Sequence, residues 1–340
     1  MGSCPVLDVR SPSEYNHAHI PEARSLPLFT DEERVVVGTT YKQKGRQEAI
    51  KIGLECFGPK MRTMVDEVDA KCKSQNAKIL IHCWRGGMRS AAIAWLMDLY
   101  GYKVYVLKGG YKAFRNWTLK QFEREYNFQV VGGYTGTGKT MVLHELKSRG
   151  KTILDLEGIA LHKGSAFGGL DKFTQPSNEM LENMIAYNLY QVTKDQPNQP
   201  IWVEDESQRI GNLNVPTFLW AQLRRRPLYF LNVPFEGRLS YLVIEYGKYP
   251  KKGLIEAIER IQKRLGNLNA KNAIAFLEDG DIRSGFKILL EYYDKSYHKA
   301  LLNRPTLSGI LIDIPCNKVS AFENTDKVLE VYLHQVKTGV

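Results

Sequence analysis

The stretch Gly133-Tyr134-Thr135-Gly136-Thr137-Gly138-Lys139-Thr140 constrains this chain more than any other. It fits GxxxxGK[ST], follows the apolar run Phe128 to Val131 and precedes a helical pattern that begins near Lys139. A strand, a glycine-rich turn and a helix in that order aim backbone N–H groups and a helix N-terminus at one point, which is a phosphate cradle. Gly133, Thr135, Gly136, Thr137 and Gly138 shape the cradle, Lys139 adds charge, and Thr140 offers a hydroxyl to Mg²⁺. Such a loop belongs at the C-terminal end of a parallel strand, so this half is α/β. The motif reads phosphates and not the group attached to them, so a nucleotide fits it as well as any other diphosphate.

Both halves alternate strands with helices. In the first, Pro5 to Val9, Lys78 to His82 and Lys103 to Leu107 read as strands, and Ser90 to Tyr100 as a mostly buried helix between the last two. That is a βαβ unit and implies a parallel sheet. In the second, strands are predicted at Phe128 to Gly132, Thr152 to Leu156, Ile201 to Glu204, Leu228 to Val233 and Ile310 to Ile314, with an α-helical insertion over about 250–302. The expected organisation is therefore a first domain over 1–118, a connecting helix over 119–127, and a phosphate-binding domain over 128–340.

Strand ends supply further candidates. Ile201 to Val203 leads into Glu204-Asp205-Glu206-Ser207, and carboxylates there can hold Mg²⁺ beside the phosphate loop, with Thr140 and Asp205 as the expected ligands. Asp155, Glu157, His162, Lys163 and Ser165 follow the strand at Ile153-Leu154 and form a possible ligand loop; the stretch from His162 to Gly168 suits an anion or a mobile loop equally.

Cys83 closes the strand Lys78 to His82 and opens the loop Trp84-Arg85-Gly86-Gly87-Met88-Arg89-Ser90 before a helix. A nucleophilic thiolate needs a lowered pKa, which helix N-terminal amides and nearby arginines supply. The two glycines let the loop curl its amides inward. Cys83 is thus the expected reactive residue. Cys4, Cys56, Cys72 and Cys316 lack such surroundings and are expected to be inert, and His82 to be structural. Five widely spaced cysteines without a CxxC pair argue against a disulfide framework or a zinc site; neither zinc nor haem is expected. With no signal peptide and no apolar run near the roughly 20 residues that span a bilayer, a reduced, cytoplasmic chain is expected.

These segments carry two resemblances. Asp8-Val9-Arg10-Ser11-Pro12-Ser13-Glu14-Tyr15 and His19-Ile20-Pro21-Glu22-Ala23, followed by the Cys83 loop and Gly109-Gly110-Tyr111, resemble the signatures of rhodanese domains. That resemblance implies sulfur or selenium carried on Cys83. A rhodanese domain usually has a strand and helix before its Asp-Val-Arg segment; here Met1-Gly2-Ser3 stands close before it, which predicts a truncated or natively shortened N-terminus and a first sheet lacking an edge strand. The fusion to a P-loop, with Leu156-Glu157-Gly158, His162 to Gly168, Glu204 to Ser207, Thr40-Tyr41-Lys42-Gln43-Lys44-Gly45 and Glu291-Tyr292-Tyr293-Asp294, is similar to the bacterial tRNA 2-selenouridine synthase family. The family implies tRNA carrying wobble 2-thiouridine as substrate, selenophosphate as selenium donor, geranyl diphosphate as activator through an S-geranylated intermediate, and an enzyme that supplies selenophosphate as partner.

The chain carries 47 Lys and Arg against 37 Asp and Glu, a net charge of +10. Between Gln222 and Arg264 ten residues are basic and four acidic. With the family resemblance this segment reads as a tRNA surface built on Arg224, Arg225, Arg226, Lys248, Lys251, Lys252, Arg260, Lys263 and Arg264, with Tyr241, Tyr246 and Tyr249 placed to stack on unpaired bases. Two other functions fit the motifs. One is an ATP-dependent tRNA sulfurtransferase or kinase-like enzyme with a rhodanese relay. The other is a non-catalytic RNA-binding protein, against which the intact Cys83, Lys139 and Thr140 argue.

Overall fold

The computed structural model describes residues 5–71, 77–165, 167, 168, 170 and 173–338. Cys4, Cys72 and Ala166, like Met1-Gly2-Ser3, lie outside the described residues. The chain forms two compact units. One comprises 1–121 together with 176–187, the other 122–175 together with 188–340.

The first unit is built on a four-stranded parallel sheet of order β2-β1-β3-β4, with β1 at Val6–Asp8, β2 at Arg24–Ser25, β3 at Lys78–His82 and β4 at Lys103–Val106. The Met88–Tyr100 helix buries Ile93, Leu96 and Met97 against this sheet's core, which also holds Leu7, Val9, Ile79 and Ile81. Each such side chain contributes roughly 1.5–3 kcal/mol on burial. The helix stops at Gly101, whose φ of 112° caps it in the left-handed region that glycine enters without strain.

The helix after β4 runs Gly110–Gln121, so only 119–121 of the expected connecting helix over 119–127 are helical, as the end of that element. Residues 176–187, far away in sequence, join this unit for a physical reason. The Tyr111 hydroxyl donates to Glu179 at 2.6 Å, Arg115 pairs with Glu182 and donates to Asn183 Oδ1, and the Asn183 amide donates to Tyr111 Oη and to the His19 carbonyl. Polar groups so buried are satisfied only while the segment stays in place.

The second unit holds a five-stranded parallel sheet of order β11-β10-β5-β7-β6. Its strands are β5 (Phe128–Gly132), β6 (Thr152–Leu154), β7 (Ile201–Glu204), β10 (Leu228–Asn232) and β11 (Leu311–Pro315); between β7 and β10 a small antiparallel pair, β8 (Arg209–Ile210) with β9 (Leu213–Asn214), stands apart. All five residues of β5 are buried, as a central parallel strand requires. Three helices, Lys251–Leu265, Asn267–Glu278 and Ile282–Leu302, form the expected insertion and bury their own core of Leu254, Ile258, Ala273, Phe286 and Leu290. The order β5-β7-β6 matters most for chemistry. It sets the C-terminal ends of these three strands side by side, so that residues 133–140, 204–206 and 155–157 converge.

Candidate active sites

The first unit carries a cavity of about 920 Å³ with Cys83 in its wall. Cys83 is 3% exposed. Gly87 N–H donates to its sulfur at 3.4 Å, and the Ser90 hydroxyl lies 3.3 Å away. Burial pushes the thiol up, but the Ser90 hydroxyl and the N–H groups of Ser90, Gly87 and Arg85 outweigh it and hold the thiol below its ordinary range. The expected arginine contribution is corrected here. Arg89 is committed to Glu14 at 2.6 Å, and Arg85 is exposed at the cavity wall; the loop amides and one serine lower the thiol instead. Trp84, Gly87 and Met88 line the same cavity, and Gly86 turns the loop with φ +67°.

The loop is braced from behind. Tyr111 N–H donates to the Cys83 carbonyl and Lys112 N–H to that of Trp84, both at 2.9 Å. Gly110 makes this approach possible: a Cβ there would fall 2.3 Å from the Cys83 oxygen. Arg10 forms a buried pair with Asp8 and lies 3.8 Å over the Tyr111 ring, so the Asp-Val-Arg segment buttresses the cysteine loop. His82 is fully buried, held neutral by desolvation, with neither ring nitrogen hydrogen-bonded. Tyr41 and Lys42, from the Thr40 to Gly45 stretch, line the Cys83 cavity. Burial raises the thiols of Cys56 and Cys316, the latter to about 11.

The second unit carries a cavity of about 860 Å³ along the P-loop, lined by Thr135 to Thr140, Glu157, Lys163, Gly164, Ser165 and Glu204 to Gln208. Lys139 Nζ donates to the Gly133 carbonyl at 3.2 Å. The Thr140 hydroxyl lies 2.9 Å from Glu204 Oε2 and 3.2 Å from Glu157 Oε2. Glu157, Glu204 and Glu206 each bring a carboxylate oxygen within 4.8 Å of the others. Burial, then the neighbouring carboxylates Glu157 and Glu206, drive Glu204 well above the usual range; burial and Glu157 push Glu206 up to about 8. One Glu204 oxygen, Oε1, is buried without a hydrogen-bond partner.

Thr140 and Asp205, the expected Mg²⁺ ligands, are not brought together. Side chains alternate faces along an extended segment, and Asp205 turns from Thr140 to accept from the Tyr297 hydroxyl at 2.5 Å and to pair with Arg304. Its neighbour Glu204 takes the place beside Thr140. Within the possible ligand loop, Glu157, Lys163 and Ser165 line the cavity. Asp155 does not: it caps the Leu156–Ala160 helix through Gly158 N–H and holds His144 at 2.8 Å. His162 also stands off the cavity wall, its pKa lowered by burial and by Arg260.

The basic segment divides. Lys252, Arg260, Lys263 and Arg264 are exposed on the Lys251–Leu265 helix, opposite its buried Leu254, Ile258, Ile261 and Leu265. Arg224 and Arg264 line the P-loop cavity. Arg225 donates back to the Ala221 carbonyl of the preceding Thr217–Leu223 helix, Arg226 pairs with Glu125, Lys248 with Glu245, and Lys251 donates to the Glu278 carbonyl. The three tyrosines expected to stack on bases are buried or half-buried. Tyr246 is core, its ring stacked on Phe286 at 5.5 Å, and Tyr249 packs against it; Tyr241 and Tyr246 both belong to that core and line the cavity.

Arg238, Asp294, Tyr297 and Arg304 were not singled out as site residues by sequence reasoning. Arg238 makes a bidentate pair with Asp294 at 2.8 and 2.7 Å and donates to the Thr135 carbonyl of the P-loop at 3.1 Å. The sole signal was the family-like Glu291 to Asp294 stretch, and helical spacing from Tyr293 to Tyr297 and Ala300 continues its face.

Comparison with known proteins follows the same division. Residues 126–309 match the family model described as tRNA 2-selenouridine synthase AAA domain, and residues 1–116 match the Rhodanese-like domain. Proteins named tRNA 2-selenouridine synthase are 35% identical in Sulfurovum sp. (strain NBC37-1), covering 87% of this chain and 88% of the relative, and 32% identical in Psychromonas ingrahamii, covering 87% and 88%. That of Nitrosomonas europaea is 35% identical over 71% of this chain and 63% of its own length. Among the described residues no helix is long and apolar enough to cross a membrane.

Proposed function

Because the chain belongs to the tRNA 2-selenouridine synthase family, we propose that it converts wobble 2-thiouridine of tRNA to 2-selenouridine in two steps, one at each cavity. Coarsely, it is an enzyme of tRNA modification that forms selenouridine. In the first step the thiocarbonyl sulfur attacks C1 of geranyl diphosphate, the C–O bond breaks, and diphosphate leaves from the P-loop. In the second, the selenium of selenophosphate, held beside Cys83, bonds to C2 of the base, the C2–S bond breaks and geranylthiol leaves, and water then cleaves the Se–P bond to release phosphate. An enzyme that makes selenophosphate is the implied partner.

The observation that supports this reading is a pair of complete sites, each within its own unit. One is a buried thiol in an amide and hydroxyl cradle. The other is a phosphate loop beside three converging carboxylates. A leaving diphosphate beside Glu157, Glu204 and Glu206 needs its charge neutralised, and the buried, unpartnered Glu204 Oε1 fits a cation. Thr140, Glu157 and Glu204 would hold Mg²⁺, which when bound stabilises charge on the departing phosphates. Lys139 moves from the Gly133 carbonyl to the same oxygens. The exposed arginines and lysines of the Lys251–Leu265 helix, with Arg225 and Arg226, form the outer RNA surface.

Mass spectrometry of nucleosides from 2-thiouridine tRNA, incubated with the protein, selenophosphate and geranyl diphosphate, tests the reading. Selenouridine is expected with the intact chain, and S-geranyl-2-thiouridine without selenium from Cys83→Ser. No nucleoside change, together with RNA-stimulated ATP hydrolysis, would transfer the chain to the ATP-driven sulfurtransferases.

A further inference from the structure

We infer that Arg224 and Arg304 form a second anion subsite in the P-loop cavity, and that it takes a phosphodiester of the RNA strand beside the base being modified. The inference rests on the RNA-modifying reading above and adds where the strand is held. Arg304 is 5% exposed, with one guanidinium nitrogen on Asp205 Oδ1 and another, Nη1, buried without a partner. Asp205 spends its second oxygen on the Tyr297 hydroxyl. Arg224, on the same cavity wall, donates to the Ala300 carbonyl at 3.1 Å and lies 4.9 Å over the Trp220 ring; no carboxylate bonds it among the described residues. Asp205 thus faces two guanidiniums and balances one. The surplus is felt between them: burial and then the Arg304 charge lower the Arg224 pKa. An anion shared by both would relieve that repulsion and gain charge-assisted hydrogen bonds.

The subsite is tied to the P-loop without being part of it. Gly133 N–H donates to Tyr297 Oη at 3.3 Å, Tyr297 donates to Asp205, and Asp205 accepts from Arg304. One cavity therefore has two anion-binding ends, the loop amides for a diphosphate and the arginines for another phosphate. Trp220, Tyr292 and Tyr293 line it as well, and aromatic faces are what unpaired bases stack on. The next residue, Arg225, is exposed, so a polyanion leaving the cavity meets more positive charge.

The test uses the full chain and two probes, an anticodon stem–loop RNA bearing 2-thiouridine and inorganic pyrophosphate. Arg224→Ala is expected to weaken RNA binding by about tenfold and to reduce the salt slope by about one, with pyrophosphate affinity changed less than about twofold. Arg224→Lys and Arg304→Lys keep the charge and guard against misfolding; they are expected to keep the slope while losing part of the affinity, because a point charge replaces a fork. Unchanged RNA affinity and slope would overturn the proposal, and so would a parallel loss of pyrophosphate affinity, which would assign the arginines to the P-loop's own ligand. If intact protein fails to bind pyrophosphate, the diphosphate reading falls, and the RNA measurements still decide the subsite.

Discussion

At Cys83 two opposing effects meet in one side chain. A thiol 3% exposed has an elevated pKa unless something stabilises the anion. Three loop N–H groups and the Ser90 hydroxyl do so and win. The rate of Cys83 alkylation by iodoacetamide should therefore have its midpoint below the value of about 8.5 for a free thiol. Ser90→Ala should raise the midpoint by about one unit, since roughly 1.4 kcal/mol of anion stabilisation is one unit. Arg89→Ala should move it less, because Glu14 already holds Arg89; the reverse order would restore the arginines as the main cause. The carboxylates of the P-loop cavity behave oppositely. Glu204 and Glu206 have folded pKa values above 4.5, Glu206 at about 8. Stability from their protonated forms is present below about 4.5 and is lost as pH rises through the folded values, near 8 for Glu206. Mg²⁺ should thus raise the Tm more at about pH 9 than at about pH 6, and Glu204→Gln should remove most of that increment. An Mg²⁺ response independent of pH would show that no cation meets these groups.

At the scale of elements, the Ile282–Leu302 helix does more than fill the insertion. It carries Asp294 to Arg238, which reaches the Thr135 carbonyl, Tyr297 to Gly133 and Asp205, and His298, whose Nδ1 lies 3.3 Å from the Tyr134 hydroxyl. The P-loop is thus latched from outside its own strand and helix. Arg238 is 4% exposed and Asp294 22%, so Asp294→Ala leaves a nearly buried guanidinium short of its carboxylate and should cost about 3 kcal/mol in urea unfolding, the low end for a broken buried pair. A cost under about 0.5 kcal/mol would mean the pair behaves like a surface one. None of this latch could be derived by spacing, because helical periodicity tells which face is buried and not what it is buried against. Local signals did better. The strands Phe128–Gly132 and Ile201–Glu204 and the helical insertion were legible from apolar pattern and glycine punctuation. The loss was at single residues. Sequence placed Asp205 with Thr140, whereas alternation along the strand end gives that position to Glu204.

At the scale of the whole molecule, sequence marked two chemistries but treated each as a continuous stretch of chain. Residues 176–187 belong with the first unit through Glu179, Glu182 and Asn183, and these ordinary polar residues on a helix carry no mark of partners 67 or 68 positions earlier. Each cavity is nonetheless complete in its own unit: every residue lining the Cys83 cavity comes from the first, and every residue lining the P-loop cavity from the second. Two full-length variants, each with one site disabled, should therefore complement each other. Cys83→Ser alone should stop at S-geranyl-2-thiouridine, and Lys139→Ala alone should leave 2-thiouridine unchanged. Mixed, they should restore selenouridine, since tRNA released from one chain finds a working second site on another. Restoration that grows with protein concentration would mark release between steps. A mixture that only accumulates the geranylated base would mean instead that the intermediate is passed on within a single chain, and that the order of binding, not the completeness of the sites, limits the reaction.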